Sequence, residues 1–166
     1  MADDSKAENP LFTDPLVYQL PYAGEVREGI RYGEGSRCFD IYLPAGVEGL
    51  APVVVLITGY PDPGFEVFSG RKQMQIRAYR DWARLLAASG MAAVLYSNVE
   101  PVADAATLLR FLRSESAQLP IDPQRIGLWA CSGNVPNAIH LAHEDSAVRC
   151  AAFLYGFMLD TPDSAA

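Results

Sequence analysis

Apolar positions along the chain fall into short runs that alternate with helical stripes. Two early segments, residues 25–31 and 37–43, are predicted to form an antiparallel hairpin because the turn residues Gly-Glu-Gly-Ser at 33–36 separate them. Later apolar runs are continuous, which is typical of strands buried on both faces of a mostly parallel sheet. These runs cover residues 52–58, 91–96, 125–130 and 148–158.

Helical periodicity fills the intervals between the later strands. The predicted helices span residues 71–89, 102–117 and a segment that ends near residue 144. In the second helix, apolar residues recur at i, i+3, i+4 and i+7, which marks a face that packs on a core. That face consists of Ala105, Leu108, Leu109 and Leu112. The corresponding stripe of the first helix consists of Tyr79, Trp82, Leu85 and Leu86.

Strands that alternate with helices predict an α/β fold. We expect a three-layer sandwich, with a mostly parallel sheet, right-handed crossovers and the N-terminal antiparallel hairpin at one side. Residues 1–24 are predicted to be an N-terminal arm, and residues 25–166 the α/β domain. Ligands bind such sheets at the carboxyl ends of the strands. The loops at 59–70 and 97–102 and the turn at Ser132 should therefore converge on one site.

Composition excludes several other classes of protein. Half of the 166 residues are apolar and the formal net charge is −7, which indicates a folded domain and argues against nucleic-acid and anionic-membrane partners. The cysteines at 38, 131 and 150 are an odd set, and we expect free, buried thiols in a reducing compartment. The N-terminus lacks a signal pattern and no apolar run approaches about 20 residues, so a cytoplasmic location is expected.

The segment at 125–134, Arg-Ile-Gly-Leu-Trp-Ala-Cys-Ser-Gly-Asn, carries the strongest chemical signal. A short apolar strand is followed at once by a helix, with Ser132 at the junction. This pattern indicates a nucleophile elbow, in which a strained turn lifts a hydroxyl above the sheet. The usual string is Gly-x-Ser-x-Gly, and here Ala130 and Asn134 occupy the glycine positions.

Three motifs in order resemble the α/β-hydrolases of the dienelactone-hydrolase-like or esterase-like kind. They are Phe-Asp-Ile-Tyr-Leu-Pro at 39–44, Val-Val-Val-Leu-Ile-Thr-Gly-Tyr at 53–60 and Asp-Pro-Gln-Arg-Ile-Gly-Leu-Trp at 122–129. The resemblance covers about residues 25–160. It implies a serine hydrolase of small-molecule carboxylic esters or lactones that acts through an acyl-enzyme, without cofactor or metal. Thr58 departs from the pattern, because many members have histidine there.

The resemblance also assigns site residues. The nucleophile position falls on Ser132, and the backbone N–H groups of Gly133 and Tyr60 would form the oxyanion hole. Some members use a cysteine nucleophile, but choosing Cys131 would place the bulky Trp129 where the elbow needs a small residue. A serine that merely caps the following helix is the structural alternative. The aromatic residues Tyr60, Phe65 and Phe68 favour an apolar acyl or alcohol group in the substrate.

The remaining catalytic partners are harder to place. His140 and His143 are the only histidines, and His140 lies about 12 Å along the helix from Ser132, at 1.5 Å per residue. Asp160 follows the last predicted strand and is a possible catalytic acid, although a turn-forming role is its main alternative.

The resemblance ends before the family's last two strands and its histidine base. The apolar run at 148–158 would then form an uncovered edge, and such edges pair with other chains. We therefore expect a homo-oligomer or a complementing C-terminal segment. A non-catalytic α/β-hydrolase-like binding module and an inactive fragment are the alternatives to an active hydrolase.

Overall fold

A computed structural model describes residues 9–114 and 118–156, which form one mixed sheet with helices on both of its faces. The strands in this part of the chain are β1 (Val26–Arg31), β2 (Cys38–Tyr42), β3 (Ala51–Leu56), β4 (Ala92–Tyr96), β5 (Ile121–Cys131) and β6 (Val148–Leu154). The helices are α1 (Pro10–Thr13), α2 (Asp62–Ser69), α3 (Arg77–Ala88), α4 (Pro101–Ser114) and α5 (Val135–Glu144). Short 3₁₀ turns cover Gln73–Gln75 and Ser132–Asn134.

The sheet has the strand order β1-β2-β4-β3-β5-β6. The β1–β2 hairpin is antiparallel and joins β4 in antiparallel fashion, whereas β4, β3, β5 and β6 run parallel to one another. This arrangement confirms the predicted fold class. It places the carboxyl ends of β4, β3 and β5 side by side, with β3 in the middle.

Two apolar cores, one on each face of the sheet, hold the three layers together. On one face, α4 and α5 pack against the sheet through residues that include Leu108, Leu112 and Leu141. All of the apolar face predicted for α4 is buried. On the other face, α3 packs through Tyr79 and Ala83. Burial of these side chains is the main stabilisation of the fold.

The predicted helix at 71–89 was too long, and the segment at 59–70 was wrongly expected to be a loop. The structure places α2 (Asp62–Ser69) inside that loop and begins α3 at Arg77. Pro63 lies in the first turn of α2, where a helix needs no N–H from it, so this proline does not break the helix. Gly70 ends α2 in the left-handed conformation at φ 74°.

The strand β5 begins four positions before the predicted start at Arg125. Its pairing with β3 shifts register between Ile121 and Ile126, and Pro123 lies within this irregular stretch. A proline is tolerated there because it does not have to donate a ladder hydrogen bond. The strand β6 ends at Leu154, and the last two residues predicted for it, 157 and 158, lie outside the described residues, as does the end of the second predicted helix.

The strand β6 lies at the end of the strand order and pairs with β5 alone among the described strands. Most of its residues are exposed, including Cys150 and Phe153. The expectation that all three cysteines are buried is therefore wrong for Cys150, which lies on a strand most of whose residues stay exposed, and Cys38 is only partly buried. All three cysteines are free thiols, as expected.

Within the described residues, no helix has both the length and the apolar character that crossing a bilayer requires.

The hairpin is tied to α4 by the buried carboxylate of Asp104. One oxygen of Asp104 accepts the N–H groups of Val99 (2.7 Å) and Glu100 (2.9 Å) at the start of the helix. The other oxygen lies 2.6 Å from the Nε of Arg37. Burial by itself would raise the pKa of Asp104, but these N–H groups and the Arg37 guanidinium lower it overall.

We expect Asp104→Asn to destabilise the protein more at pH 7 than at pH 3. A carboxyl whose pKa is lower in the folded state stabilises the fold above its unfolded pKa of about 3.9, and this contribution is lost as the pH falls through the folded pKa. Urea titrations at the two pH values measure the free energy of unfolding. Glu34→Gln in the exposed turn is the control, and an equal loss at both pH values for Asp104→Asn would contradict the assignment.

The exposed edge of β6 should drive self-association. Wild-type protein is expected to form dimers or larger species by light scattering, because an apolar edge strand offers unpaired backbone groups to another chain. Phe153→Lys should shift the population towards monomer, whereas Val67→Lys on α2, which is exposed elsewhere, should not. A wild-type chain that stays monomeric at high concentration is the opposing result.

Candidate active site

Ser132 lies at the sharp junction between β5 and the 3₁₀ turn that leads into α5. Its backbone has φ 54°, a left-handed conformation that residues with a side chain rarely adopt, and its side chain is exposed. Strain of this kind persists only where the surrounding structure enforces it, and it is concentrated at functional sites. The predicted geometry, a strained strand-to-helix turn at Ser132, is confirmed.

Cys131 has a different environment from its neighbour. It is the last residue of β5, has extended backbone (φ −136°, ψ 157°) and pairs with Leu154 of β6. Its thiol is buried 3.8 Å from the Tyr79 hydroxyl. The turn therefore presents Ser132 to solvent and leaves Cys131 in the sheet, which favours Ser132 over Cys131 as the nucleophile.

Asn134 connects the elbow to the loop that follows β3. Its buried side-chain oxygen accepts the N–H of Gly59 at 2.7 Å and lies 3.5 Å from the amide nitrogen of Gln73. Its amide nitrogen donates to the hydroxyl of Tyr79. One side chain thus joins α3, the loop after β3 and the start of α5.

Asn134 occupies the second glycine position of the elbow motif, and its backbone is ordinary helical (φ −85°, ψ −15°). The glycine that permits close packing at this point is Gly59, on the loop that faces Asn134. A Cβ at Gly59 would lie 2.8 Å from the Asn134 side-chain oxygen and 2.9 Å from the Gly133 carbonyl oxygen. Because only glycine fits at position 59, an asparagine is tolerated at position 134.

The two residues assigned to the oxyanion hole by resemblance are neighbours in the structure. The side-chain hydroxyl of Tyr60 lies against Gly133, where an added Cβ would be 3.1 Å from the ring carbon that bears the hydroxyl. The backbone N–H of Tyr60 points to the side-chain oxygen of Gln73, at a long 3.4 Å. Tyr60 and Gly133 are therefore close together beside Ser132, and their catalytic role stays a prediction.

Reciprocal hydrogen bonds join the loops after β3 and β4. Asp62 accepts the N–H of Asn98 at 2.9 Å, and its own N–H donates to the Asn98 carbonyl at 3.1 Å. The Asn98 amide also donates to the Thr58 hydroxyl at 2.8 Å. Thr58, which departs from the histidine of the resembling motif, thus takes part in a buried hydrogen bond. Burial raises the pKa of Asp62, against the opposing effect of the Asn98 N–H. It also raises the pKa of Tyr96, whose hydroxyl accepts the Thr58 N–H, to about 12.

Cavities lie on both sides of the loop after β3. The first, called the aromatic pocket below, has a volume of about 450 Å³ and is lined by Tyr60, Pro61, Gly64, Phe65 and Phe68. The second has a volume of about 570 Å³ and is lined by residues of the loops after β3 and β4 and of the helices α4 and α5, among them Gly59, Glu100 and Asn137. The predicted apolar surroundings of the site correspond to the first cavity.

The structure does not bring a histidine to Ser132. His140 and His143 both lie exposed on α5, and the Nε2 of His143 is 4.0 Å from the carboxylate of its neighbour Glu144. Asp160, the possible acid, lies outside the described residues. The described part of the site therefore has a candidate nucleophile and candidate donors, but its histidines are not placed to act as the base.

The amide side chains that organise the site were not predicted from the sequence. Asn134 was noted only as a departure from the elbow motif, and Gln73 and Asn98 received no role. An amide at a motif position that normally holds glycine was a usable signal for Asn134. For Gln73 the sequence offered none, because its contact depends on the 3₁₀ turn that precedes α3.

No protein-family model and no curated protein matches the sequence. Solved structures do match its fold. An α/β-hydrolase from a Medee basin deep-sea metagenome library is similar, with a TM-score of 0.63, 16% identity and coverage of 84% of this chain and 60% of that chain. An ester-hydrolase from the metagenome of Lake Arreo, complexed with a bipyridine phosphonate derivative, has a TM-score of 0.63 and 20% identity over 92% of this chain and 49% of that one. A thermophilic esterase from the planctomycete Thermogutta terrifontis has a TM-score of 0.55 and 20% identity over 85% and 56%.

These similarities show that the chain has the α/β-hydrolase fold. It spans about half the length of the solved structures that it matches. At such low identity the likeness concerns the fold alone.

We expect Asn134→Ala to lower the free energy of unfolding by about 2–4 kcal/mol. The substitution leaves the partly buried Gly59 N–H without its acceptor and removes the amide donor of the buried Tyr79 hydroxyl, and an unpaired buried polar group costs about 1–3 kcal/mol. Chemical denaturation measures the loss. Asn137→Ala, one turn further along α5, should change stability by less than about 1 kcal/mol, and a similar loss in both variants would show that the bridge has no special role.

Proposed function

We propose that this chain carries the nucleophile of a serine hydrolase that cleaves carboxylic esters or lactones. The observation that carries the proposal is the position of Ser132, which is exposed at φ 54° where β5 ends at the carboxyl edge of a parallel sheet. In folds of this type a serine in that position can reach a bound carbonyl carbon. The substrate would be a small molecule, and no cofactor is needed.

The proposed reaction starts with attack by the Ser132 hydroxyl. The Ser132 oxygen adds to the carbonyl carbon while its proton passes to a base, and the resulting tetrahedral intermediate collapses with loss of the alcohol, which takes up a proton. Water then attacks the acyl-enzyme and releases the carboxylic acid. In a lactone the alcohol and the acid remain parts of one product.

Tyr60 and Gly133 are proposed to stabilise the oxyanion. Gly133 directly follows the nucleophile, and the loop of Tyr60 is held against it by the bond from Gly59 to Asn134. In this proposal the Tyr60 N–H exchanges its long contact with Gln73 for a hydrogen bond to the oxyanion. Donors fixed before the reaction are worth most when charge develops in the transition state.

The base is proposed to come from outside the described residues. A serine hydroxyl is a weak nucleophile until a base takes its proton, and both histidines of the chain lie exposed on α5. A second copy or a complementing segment that covers β6 would be placed beside the elbow. We therefore propose that the partner that covers the sheet edge also supplies the base.

A non-catalytic binding module is the second candidate. The exposed positions of His140 and His143 favour it, because they leave Ser132 without an evident base among the described residues. In that case the cavities beside the elbow would still bind a small molecule, but no acyl-enzyme would form.

The test uses p-nitrophenyl acetate with the chain alone and with added imidazole as an external base. Removal of a serine protease's own triad leaves about 10³–10⁴-fold catalysis over water, from the oxyanion hole and binding. We therefore expect weak turnover at most without imidazole and a clear increase with it, after the rate of imidazole without protein is subtracted.

Variants at the elbow separate the two possible nucleophiles. Ser132→Ala should remove the imidazole-dependent increase and the acyl adduct seen by intact mass spectrometry. Cys131→Ala should retain both, because its thiol lies in the sheet. If Ser132→Ala keeps the increase, Ser132 is not the nucleophile. If wild type shows neither an increase nor an adduct, the binding module is the better description.

A further inference from the structure

The N-terminal arm contributes a ring to an aromatic cluster beside the elbow. Phe12 of α1 packs edge-on against two residues of α2, with ring centroids 5.9 Å from Phe65 and 6.2 Å from Phe68. Phe65 in turn lies 6.3 Å from Tyr60 and 6.4 Å from Phe68. Phe12 thus contacts, from outside, two rings that line the aromatic pocket.

Polar contacts hold the arm in this position. The N–H of Leu16 donates to the Asp81 carboxylate at 3.2 Å, and Asp81 is buried on α3, where it also pairs with Arg77 and Arg84. Further along, the Tyr22 hydroxyl shares its proton between the carbonyl oxygens of Glu25 at 2.7 Å and Leu43 at 3.0 Å. Anchors on α3 and at the end of β2 fix the arm downstream of Phe12, so the ring is held against α2 rather than left free in solvent.

The aromatic pocket has the character of a small-molecule site. None of its five lining residues is charged, and its volume of about 450 Å³ lies within the usual range for ligand pockets, about 300–1,000 Å³. Phe68 is 78% exposed and Tyr60 is 50% exposed, and grouped apolar exposure of this kind marks binding surfaces. An uncharged ring stacks well in such a pocket, whereas an anion would find no cation among the lining residues.

Tyr60 joins this pocket to the elbow. Its ring is one wall of the pocket, and its hydroxyl lies against Gly133, the residue after Ser132. A group held in the pocket would therefore contact the same side chain that lies against the residue after Ser132.

We propose that the aromatic pocket binds the phenyl group of a phenyl-bearing ester and that Phe12 determines this specificity by holding Phe65 and Phe68 in place. The assignment to an ester rests on the proposed function, whereas the binding of a phenyl group does not. Phe12 acts through the two rings of α2, so its loss should weaken binding without removing the pocket.

The test measures binding of 4-phenyl-2-butanone, a neutral ketone that resembles a phenyl-bearing ester and cannot be hydrolysed. Titration of the full chain, followed by protein NMR, gives Kd. Phe12→Ala and Phe68→Ala should each raise Kd about three- to tenfold, as expected for loss of one or two aromatic contacts. 2-Butanone, which lacks the ring, should bind far more weakly than the phenyl ketone to wild type.

Matched controls lie in the same elements. Val17→Ala in the arm and Val67→Ala on α2 remove exposed apolar side chains outside the pocket and should leave Kd unchanged. Phe12→Leu keeps an apolar contact and should give an intermediate Kd. This variant still tests the proposal if Phe12→Ala folds poorly. Near-ultraviolet circular dichroism checks the fold of each variant.

The outcomes distinguish this proposal from the hydrolase proposal. Unchanged Kd in Phe12→Ala and Phe12→Leu, with weaker binding in Phe68→Ala, would overturn the role of the arm. Equal binding of the two ketones, or none, would overturn the phenyl pocket. In the wild-type chain, a failure of ester cleavage with intact, Phe12-dependent binding of the phenyl ketone counts against the hydrolase alone.

Discussion

The site depends on the close approach of two backbone segments, the loop after β3 and the elbow after β5. Gly59 allows the approach because a Cβ there would collide with Asn134 and Gly133. The Asn134 side chain then holds the segments together through the Gly59 N–H. The strained backbone of Ser132 is kept in place between a strand paired on both sides and a helix fixed by this bridge. Without the approach, neither the turn nor the position of Tyr60 would be defined.

The layers of the fold and the elbow could be predicted from the sequence, because both depend on local patterns. Continuous apolar runs gave the parallel strands, and the apolar face of α4 was predicted correctly residue by residue. The helix α2 was missed because Pro61 and Pro63 resemble turn residues, although proline is allowed where a helix begins. The exposure of Cys150 was missed because it depends on what covers β6, which no local pattern contains.

The polar network of the site could not be predicted for a related reason. Gln73, Tyr79 and Asn134 are separated by up to 61 positions and meet only after α3 has packed on the sheet. Long-range hydrogen bonds of this kind leave no periodic signature. Buried polar groups nevertheless have to be paired, so this network restricts how the loop after β3 can lie and thereby supports the geometry beside Ser132.

Among the described residues, β6 is an open edge of the sheet and no histidine lies near Ser132, and both features concern the same side of the molecule. Leu154 at the end of β6 pairs with Cys131, the residue before Ser132. Neighbouring strands lie about 4.8 Å apart, so a strand added to β6 would end about 10 Å from β5. A short loop at the end of that strand is long enough to bring a side chain to the serine. Covering the exposed strand and completing the proposed catalytic group are therefore compatible with a single binding event, since the geometry of β5 and β6 places both requirements within reach of one polypeptide segment.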